Sequence, residues 1–181
     1  MVKCVKNVFV AAIAVSAIFV IAGCTSKPSV APAEVPDVVD MFEADMAAVV
    51  EFPAVEATAS AYQESKGLVA ANAIDGDLNT TWTAEGSQWI NIDLGAVKKV
   101  AYLEVAMLKG SQRKYKVMFE ASTDGTTYKT ILKKTTSSGK TEEMEMYDTA
   151  NIEAQYIRIN VYGADSSDWN NIREVKVYGI N

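Results

Sequence analysis

Residues 53–181 predict an all-β fold, an antiparallel β-sandwich of the jelly-roll type. Segments such as Trp89–Leu94 and Tyr156–Tyr162 alternate apolar and polar residues, as half-buried strands do. Turn signals separate these segments, and Asp124-Gly125 is the clearest hairpin signal. No stretch of comparable helical periodicity occurs in this part of the chain. Its length is enough for one hydrophobic core without the help of disulfides.

Residues 1–23 are predicted to be an export signal. Lys3 and Lys6 are the only charged residues before an apolar run, Val8–Ile21, which is shorter than the about 20 residues of a membrane span. A small residue precedes Cys24, and this arrangement resembles the lipobox of bacterial lipoproteins, in which the cysteine is acylated. An ordinary signal peptide with an incidental cysteine is the alternative. The resemblance implies an exported, lipid-anchored protein of the bacterial cell envelope, expected in the outer membrane.

Residues 24–52 are predicted to be an acidic linker that follows the lipid anchor. Prolines and small residues up to residue 36 favour an extended spacer. In residues 37–50 apolar side chains recur at helical spacing, which predicts a short helix that Pro53 would end. These apolar residues are Val38, Val39, Phe42, Met46, Val49 and Val50. The helix would be either a solvated spacer or a docking element for a partner or for the domain's own flank.

The composition excludes several classes of function. The chain has no histidine, so neither a Ser-His-Asp nor a Cys-His nucleophile can be built. Acid pairs such as Glu142 and Glu143 are adjacent on a predicted strand and would point to opposite faces. The net charge of −6 argues against a nucleic-acid partner. We therefore predict that the chain is not an enzyme.

Eight short strands account for most of the predicted domain. They are Val55–Ala59, Trp89–Leu94, Val100–Met107, Lys114–Ala121, Tyr128–Lys133, Thr141–Met146, Tyr156–Tyr162 and Glu174–Tyr178. The strand Val100–Met107 is longer and more apolar than its neighbours, which suits a central position in a sheet. Trp82 and Trp89 fall within strand motifs and are expected in the core.

Five motifs in order give the domain a resemblance to a known family. They are Asn72–Trp82, Trp89–Gly95, Phe119–Gly125, Tyr156–Ile159 and Glu174–Gly179. Together they resemble the F5/8 type C (discoidin-like) domains, which implies a galactose-binding-domain-like jelly roll. Many bacterial members of this group are carbohydrate-binding modules of family 32. Members that bind membranes usually close their ends with a disulfide, which this domain lacks, so the resemblance implies carbohydrate binding without catalysis.

The first motif contains a candidate calcium loop. Asp75-Gly76-Asp77 and Thr80 place oxygen atoms in a tight turn, and hard oxygen ligands suit calcium. The spacing is not that of an EF-hand, and an Asx-turn with solvated carboxylates is the alternative. The family resemblance implies a structural calcium ion that ties this loop to the last strand. Its implied ligands are the carbonyls of Asn72, Asp77, Thr80 and Arg173, the hydroxyl of Thr80, and the carboxylates of Asp75 and Glu174.

The ligand site is predicted at one end of the jelly roll, where loops distant in sequence gather. The segments Gly110–Tyr115 and Trp169–Glu174 resemble modules attached to alginate lyases, which implies a ligand that contains uronate. The predicted contacts are Lys109 and Arg113 with the uronate carboxylate, Trp169 and Tyr62 with sugar rings, and Gln112 and Asn170 with hydroxyls. The alternatives are that the two cations are merely solvated and that Trp169 only pins its loop.

These observations predict a carbohydrate-binding lipoprotein on the bacterial surface. It would hold an acidic, alginate-like polysaccharide or oligosaccharide near the cell, where separate polysaccharide-degrading enzymes or transporters act on it. The alternative is an adhesion or envelope protein whose domain binds a partner protein or a cell-wall glycan.

Overall fold

A computed structural model describes residues 49–180 of the chain. The predicted signal segment, Cys24 and all but the last residues of the predicted linker lie outside the described residues. The strands are β1 (Val49–Phe52), β2 (Glu56–Ala59), β3 (Trp82–Glu85), β4 (Gln88–Met107), β5 (Tyr115–Ser122), β6 (Lys129–Thr136), β7 (Glu145–Ala164) and β8 (Trp169–Ile180). Two 3₁₀ turns, Glu64–Lys66 and Ala70–Ala73, precede β3. In this part of the chain no helix has the length and apolar character needed to cross a membrane.

The strands form an antiparallel β-sandwich, which confirms the predicted fold class. One layer contains β2, the first half of β4, the second half of β7, β5 and β6. The other layer contains β1, β3, β8, the second half of β4 and the first half of β7. The two 20-residue strands β4 and β7 therefore belong to both layers.

The long strands bend where their pairing register shifts. In β4 the shift falls between Asp93 and Lys98, around Gly95, which has a left-handed φ of 74°. The β7 side of this shift lies between Ala154 and Tyr156, and a second shift, opposite Val100–Tyr102 of β4, includes Asn151, whose φ is 54°. The sequence predicted separate strands on each side of both bends because the turn residues resemble strand ends. In the structure the chain instead passes from one layer to the other without interruption.

The core lies between the two layers and contains Trp82 but not Trp89. The Trp82 ring is fully buried, and its Nε1 donates a hydrogen bond of 2.9 Å to the Ala61 carbonyl. Ile90 and Ile92 point inward, so the alternation along β4 turns Trp89 toward the outer face. The prediction that Trp89 belongs to the core is therefore wrong.

Strand β1 extends the domain toward the N-terminus beyond residue 53. Its residues pair with the end of β8, from Val49 opposite Ile180 to Phe52 opposite Val177. Phe52 is buried, and a Cβ atom at Gly179 would lie 2.5 Å from its ring, so the glycine makes room for the aromatic side chain. Val49 and Val50, predicted at the end of a helix, thus belong to a strand because pairing with β8 outweighs local periodicity.

Candidate functional site

Strand β8 connects the two regions that the sequence analysis singled out. Glu174 lies near the middle of this strand, opposite the oxygen-rich loop, which comprises residues 72–80. Trp169 lies at its start, beside the binding loops, which comprise residues 108–114 and 163–168. The last strand of the domain therefore contributes side chains to both regions.

The oxygen-rich loop gathers oxygen atoms around the Thr80 hydroxyl. The Thr80 Oγ1 atom lies 2.8 Å from Asp75 Oδ2, 3.0 Å from the Asp77 carbonyl oxygen and 3.2 Å from the Asn72 carbonyl oxygen. One hydroxyl proton can be donated to only one of these three acceptors. In the other two contacts, the oxygen atoms lie close together with no proton between them. Such a concentration of hard oxygens suits a calcium ion.

Glu174 links the oxygen-rich loop to β8. Its Oε2 atom accepts a 3.1 Å hydrogen bond from the Gly76 backbone N–H, and its side chain is buried. Burial raises the pKa of Glu174 to about 6 against the opposing effect of this hydrogen bond, and the Asp75 carboxylate adds to the rise. Gly76 has a left-handed φ of 76°, which most residues with a Cβ atom adopt only at a cost. The two carboxylates that the sequence analysis placed at the same ion are thus close enough to interact.

The remaining predicted calcium ligands use their side chains elsewhere. Asp77 Oδ1 accepts hydrogen bonds from the Asn79 backbone and side chain, and these bonds lower the Asp77 pKa. Asn72 Nδ2 donates to the Gly67 and Thr81 carbonyls. Arg173 pairs with Glu142 at 3.3 Å, and it falls at a register shift between β4 and β8. The family resemblance implies that these three residues would contribute only their backbone carbonyls, and this stays a prediction.

The described residues provide no group of three or more His, Cys, Asp or Glu side chains that could hold a metal. The predicted ligand set contains only two carboxylates, from Asp75 and Glu174. Backbone oxygens and the Thr80 hydroxyl would have to complete the coordination of a calcium ion, which accepts such mixed oxygen ligands.

Backbone hydrogen bonds bring the two binding loops together. The Leu108 N–H donates to the Asn171 carbonyl at 3.2 Å, and the Asp165 N–H donates to the Lys114 carbonyl at 2.9 Å. The Asp165 carboxylate in turn accepts a 3.3 Å bond from the Lys114 N–H. The segments 108–114 and 165–171, far apart in sequence, are therefore neighbours at one end of the sandwich, as predicted.

Lys109 and Arg113 are held by a turn whose side chains remain free. The Lys109 carbonyl accepts hydrogen bonds of 2.9 Å from the N–H groups of Gln112 and Arg113. Lys109 has a left-handed φ of 56°, which fixes the start of the turn. Within the described residues the side chains of Lys109, Gln112 and Arg113 make no hydrogen bond or ion pair. Two cations and an amide are thus available to a ligand.

The two neighbouring residues Trp169 and Asn170 point in different directions. Trp169 is half-buried, and no hydrogen bond or ring contact of its indole is found among residues 49–180. Asn170 is fully buried, accepts a 2.6 Å hydrogen bond from the Gly163 N–H, and donates to the carbonyls of Ala84 and Gly86. The predicted contact of Asn170 with sugar hydroxyls is therefore wrong, since its amide already holds the loops in place.

Tyr62 lies in the loop that follows β2, which leaves the sheet beside the start of β4. Its side chain is 48% exposed and lines a groove of about 440 Å³ together with Glu64 and Val69. In the described part of the chain no hydrogen bond or ring contact joins Tyr62 to the binding loops. The predicted contact of Tyr62 with a sugar ring therefore stays a prediction.

Sequence reasoning missed two features of this end of the molecule. Arg173 forms its ion pair with Glu142, and Ser111 Oγ donates to the other oxygen of the same carboxylate at 3.0 Å. Trp89 faces outward, which strict alternation with Ile90 would have indicated.

Comparison with known proteins gives one matching family. The sequence model of the F5/8 type C domain matches residues 56–175. Among solved structures, the CBM32 of AlyQ in complex with 4,5-unsaturated mannuronic acid is 35% identical, with a TM-score of 0.67, and the match covers 71% of this chain and 97% of that one. A pectin-binding carbohydrate-binding module is 29% identical, with a TM-score of 0.67 and coverage of 68% and 89%.

Two further relatives are less complete or more distant. The polysaccharide lyase 8 family protein HylA of Enterococcus faecalis is 32% identical over 93 residues, and the match covers 50% of this chain but 7% of HylA. The chain thus corresponds to a small part of that curated relative. The family 32 CBM of NanJ from Clostridium perfringens, in complex with galactose, is 20% identical with a TM-score of 0.61, and this likeness concerns the fold alone.

Proposed function

Because this chain belongs to the F5/8 type C domain family, we propose that it binds carbohydrate without catalysis, and that its ligand is an acidic, alginate-like polysaccharide. The match to the CBM32 of AlyQ, which was solved with an unsaturated mannuronic acid, supports a uronate ligand. The match to a pectin-binding module supports the same class of sugar. By holding the polysaccharide, the protein would keep it available to separate degrading enzymes.

The observation that carries this proposal is the pair of unpartnered cations in the binding loops. Lys109 and Arg113 project from one turn, and no acidic side chain in the described residues pairs with either. A uronate carboxylate can accept two parallel hydrogen bonds from an arginine guanidinium. Arg173, which follows Trp169 on β8, is already paired with Glu142. The carboxylate is therefore assigned to Arg113, with Lys109 contributing positive charge.

The same end of the sandwich offers contacts for the sugar ring. Trp169 is half-buried beside the loop that contains Asp165, and its indole would pack against the apolar C–H face of a sugar. Gln112 is exposed and would bond to hydroxyls. Asn170 does not touch the sugar, because its buried amide bonds to Gly163 and to the carbonyls of Ala84 and Gly86.

A binding screen of the full chain tests this function. Titration calorimetry would compare alginate and pectin with agar and neutral galactosides, each with and without calcium. We expect the uronate-containing polymers to bind most tightly and to weaken as salt is added, because screening reduces the charge attraction. Tight binding of neutral glycans alone would contradict the uronate assignment. If no glycan binds, the result favours the alternative function, that of an adhesion or envelope protein that binds a partner protein.

The proposal includes a structural calcium ion in the oxygen-rich loop. Bound calcium would supply positive charge to the carboxylates of Asp75 and Glu174 and to the carbonyls of Asn72, Asp77, Thr80 and Arg173. The support is the concentration of oxygens around the Thr80 hydroxyl and the burial of Glu174. Tying the loop to β8 would hold the first part of the domain against the last.

The proposal also includes lipid anchoring at Cys24 in the bacterial envelope. It rests on the sequence, because this residue lies outside the described part of the chain. Metabolic labelling with a palmitate analogue should tag the protein, and Cys24→Ala should remove the tag. Val49 of β1 pairs with Ile180, at the opposite end of β8 from Trp169.

A further inference from the structure

The outer face of the layer that contains β5 and β6 has a cluster of aromatic, amide and charged side chains. Trp89 and Asn91 of β4 lie opposite Asn160 and Arg158 of β7, and Arg158 lies opposite Glu120 of β5. These residues alternate with buried ones, so they point away from the core. Arg158 lies five residues before Gly163, roughly 16 Å along the strand from the binding loops. The cluster therefore forms a surface separate from the binding loops, on the outer face of this layer.

Arg158 is held between two aromatic rings at the centre of this face. Its Cζ atom lies 3.6 Å from the ring centroid of Tyr128 and 4.7 Å from that of Trp89. The Tyr128 hydroxyl donates a 2.8 Å hydrogen bond to Asn91 Oδ1, which fixes the position of its ring. Rings on both sides restrict the plane of the guanidinium. The orientation of its N–H groups is therefore set before any ligand arrives.

No anion of the described residues balances the charge of Arg158. Glu120, its cross-strand neighbour, accepts a 2.9 Å hydrogen bond from Asn160 instead, and no carboxylate lies within ion-pair distance of Arg158. The Nε atom is buried without a hydrogen-bond partner. A partly buried cation without a counter-ion carries a desolvation cost that an incoming carboxylate would offset.

We propose that this face is a second glycan-binding surface, in which Arg158 pairs with a carboxylate of the acidic polysaccharide. The inference rests on the proposed function for the class of ligand but uses residues outside the binding loops. Asn91 contributes an amide whose N–H groups have no partner in the described residues, and Trp89 contributes an edge of apolar ring. A flat sheet face suits an extended sugar chain, which can lie across several strands.

The character of the face favours a sugar chain over other partners. Among residues 49–180 the large apolar side chains that are exposed are Val50, Val55, Tyr62, Leu78, Val97 and Met146. None of them lies in the parts of β4, β5, β6 and β7 that form this face. A protein partner usually requires an apolar centre in its interface. The amides, the rings and an arginine without an ion pair match a polar, carboxylate-bearing chain instead.

Titration calorimetry of the full chain with a short uronate oligosaccharide from alginate tests the proposal. The wild-type chain should bind two oligosaccharide molecules. The variants Arg158→Gln and Arg113→Ala should each bind one. The double variant should bind none. Lys99→Gln is the matched control, because it removes one positive charge from an exposed residue of the other layer whose side chain has no hydrogen bond or ion pair in the described part of the chain. It should leave two sites.

A conservative variant separates recognition from folding. Arg158→Lys keeps the charge and the apolar stem but loses the planar fork, so binding at the second site should weaken about tenfold or more. Its melting temperature and circular dichroism should match those of the wild type. A single site in the wild type that Arg158→Gln leaves unchanged would overturn the second surface while the proposed function stands. Failure of every acidic glycan to bind the wild type would overturn both.

Discussion

The oxygen-rich loop and the binding loops both meet β8 but use their polar groups in opposite ways. In the oxygen-rich loop, Asp75, Thr80 and Glu174 bond to each other or to the backbone close by. In the binding loops the backbone is equally well bonded, yet the side chains of Lys109 and Arg113 have no partner in the described residues. Groups that satisfy each other contribute to stability, whereas groups left unpaired on a rigid backbone are available for recognition. The following predictions test this division.

The largest effect is expected for Asn170→Ala, which affects stability rather than direct recognition. The change would leave the Gly163 N–H and the carbonyls of Ala84 and Gly86 without their buried partner. We expect the free energy of unfolding to fall by roughly 2–4 kcal/mol, measured by denaturant titration. Gln112→Ala, at an exposed position of the neighbouring loop, is the control and should change it by less than about 0.5 kcal/mol. Equal stability of both variants would contradict the role assigned to Asn170.

Calcium should raise the stability of the wild type through the oxygen-rich loop. At a hundredfold excess over its dissociation constant, a ligand of the native state alone adds about 2.7 kcal/mol. For a domain of this size that is roughly 5–10 °C in melting temperature. Differential scanning calorimetry with calcium and with chelator measures the shift.

Glu174→Gln sharpens the calcium test. The amide oxygen can still accept the hydrogen bond from Gly76, but one proposed carboxylate ligand is lost. The calcium-dependent rise in melting temperature should disappear, while the chelated protein should melt at or above the wild-type temperature, because burial disfavours the charged carboxylate. A calcium effect that survives this change would place the ion elsewhere.

Arg113→Ala should weaken binding without affecting stability. Removal of a charge-assisted hydrogen bond should cost about 1.5–3 kcal/mol in the free energy of binding at the site in the binding loops. Titration calorimetry with alginate oligosaccharides should show this loss, and the effect should shrink for neutral glycans. Intact binding of uronate at this site by a folded variant would refute the assignment of Arg113.

The smallest effect is expected for Trp169→Ala. Loss of ring packing against the sugar should cost about 1 kcal/mol, or roughly a fivefold weaker affinity, for acidic and neutral glycans alike. The same titrations measure it, with unchanged melting as the control. If Trp169→Ala lowers the melting temperature but leaves the affinity for glycans unchanged, the indole stabilises its loop and does not contact the sugar.

The sequence predicted the fold class and the oxygen-rich loop because both depend on local patterns. Alternation identified most strands, and residues 72–80 converge within nine positions of chain. It missed the short strands β1 and β3, whose partners lie far away on β8. Pairing between distant segments decides such strands.

The ligand contacts were predicted less well for a related reason. The amide of Asn170 suggested a contact with sugar hydroxyls. Its position in β8, next to Trp169, instead turns the side chain inward. The direction of a side chain follows from strand register, which is set by the whole sheet.

The pairing of Val49 with Ile180 determines how a pulling force would travel through the molecule. Force applied at Val49 reaches the sheet through four residues of β1 and through the Phe52 ring set against Gly179. Force applied by a bound polymer enters at the other end of β8, near Trp169. The two loads would act along the same strand in opposite directions, so the hydrogen bonds of β8 to β4 and β1 would share the shear instead of opening one after another.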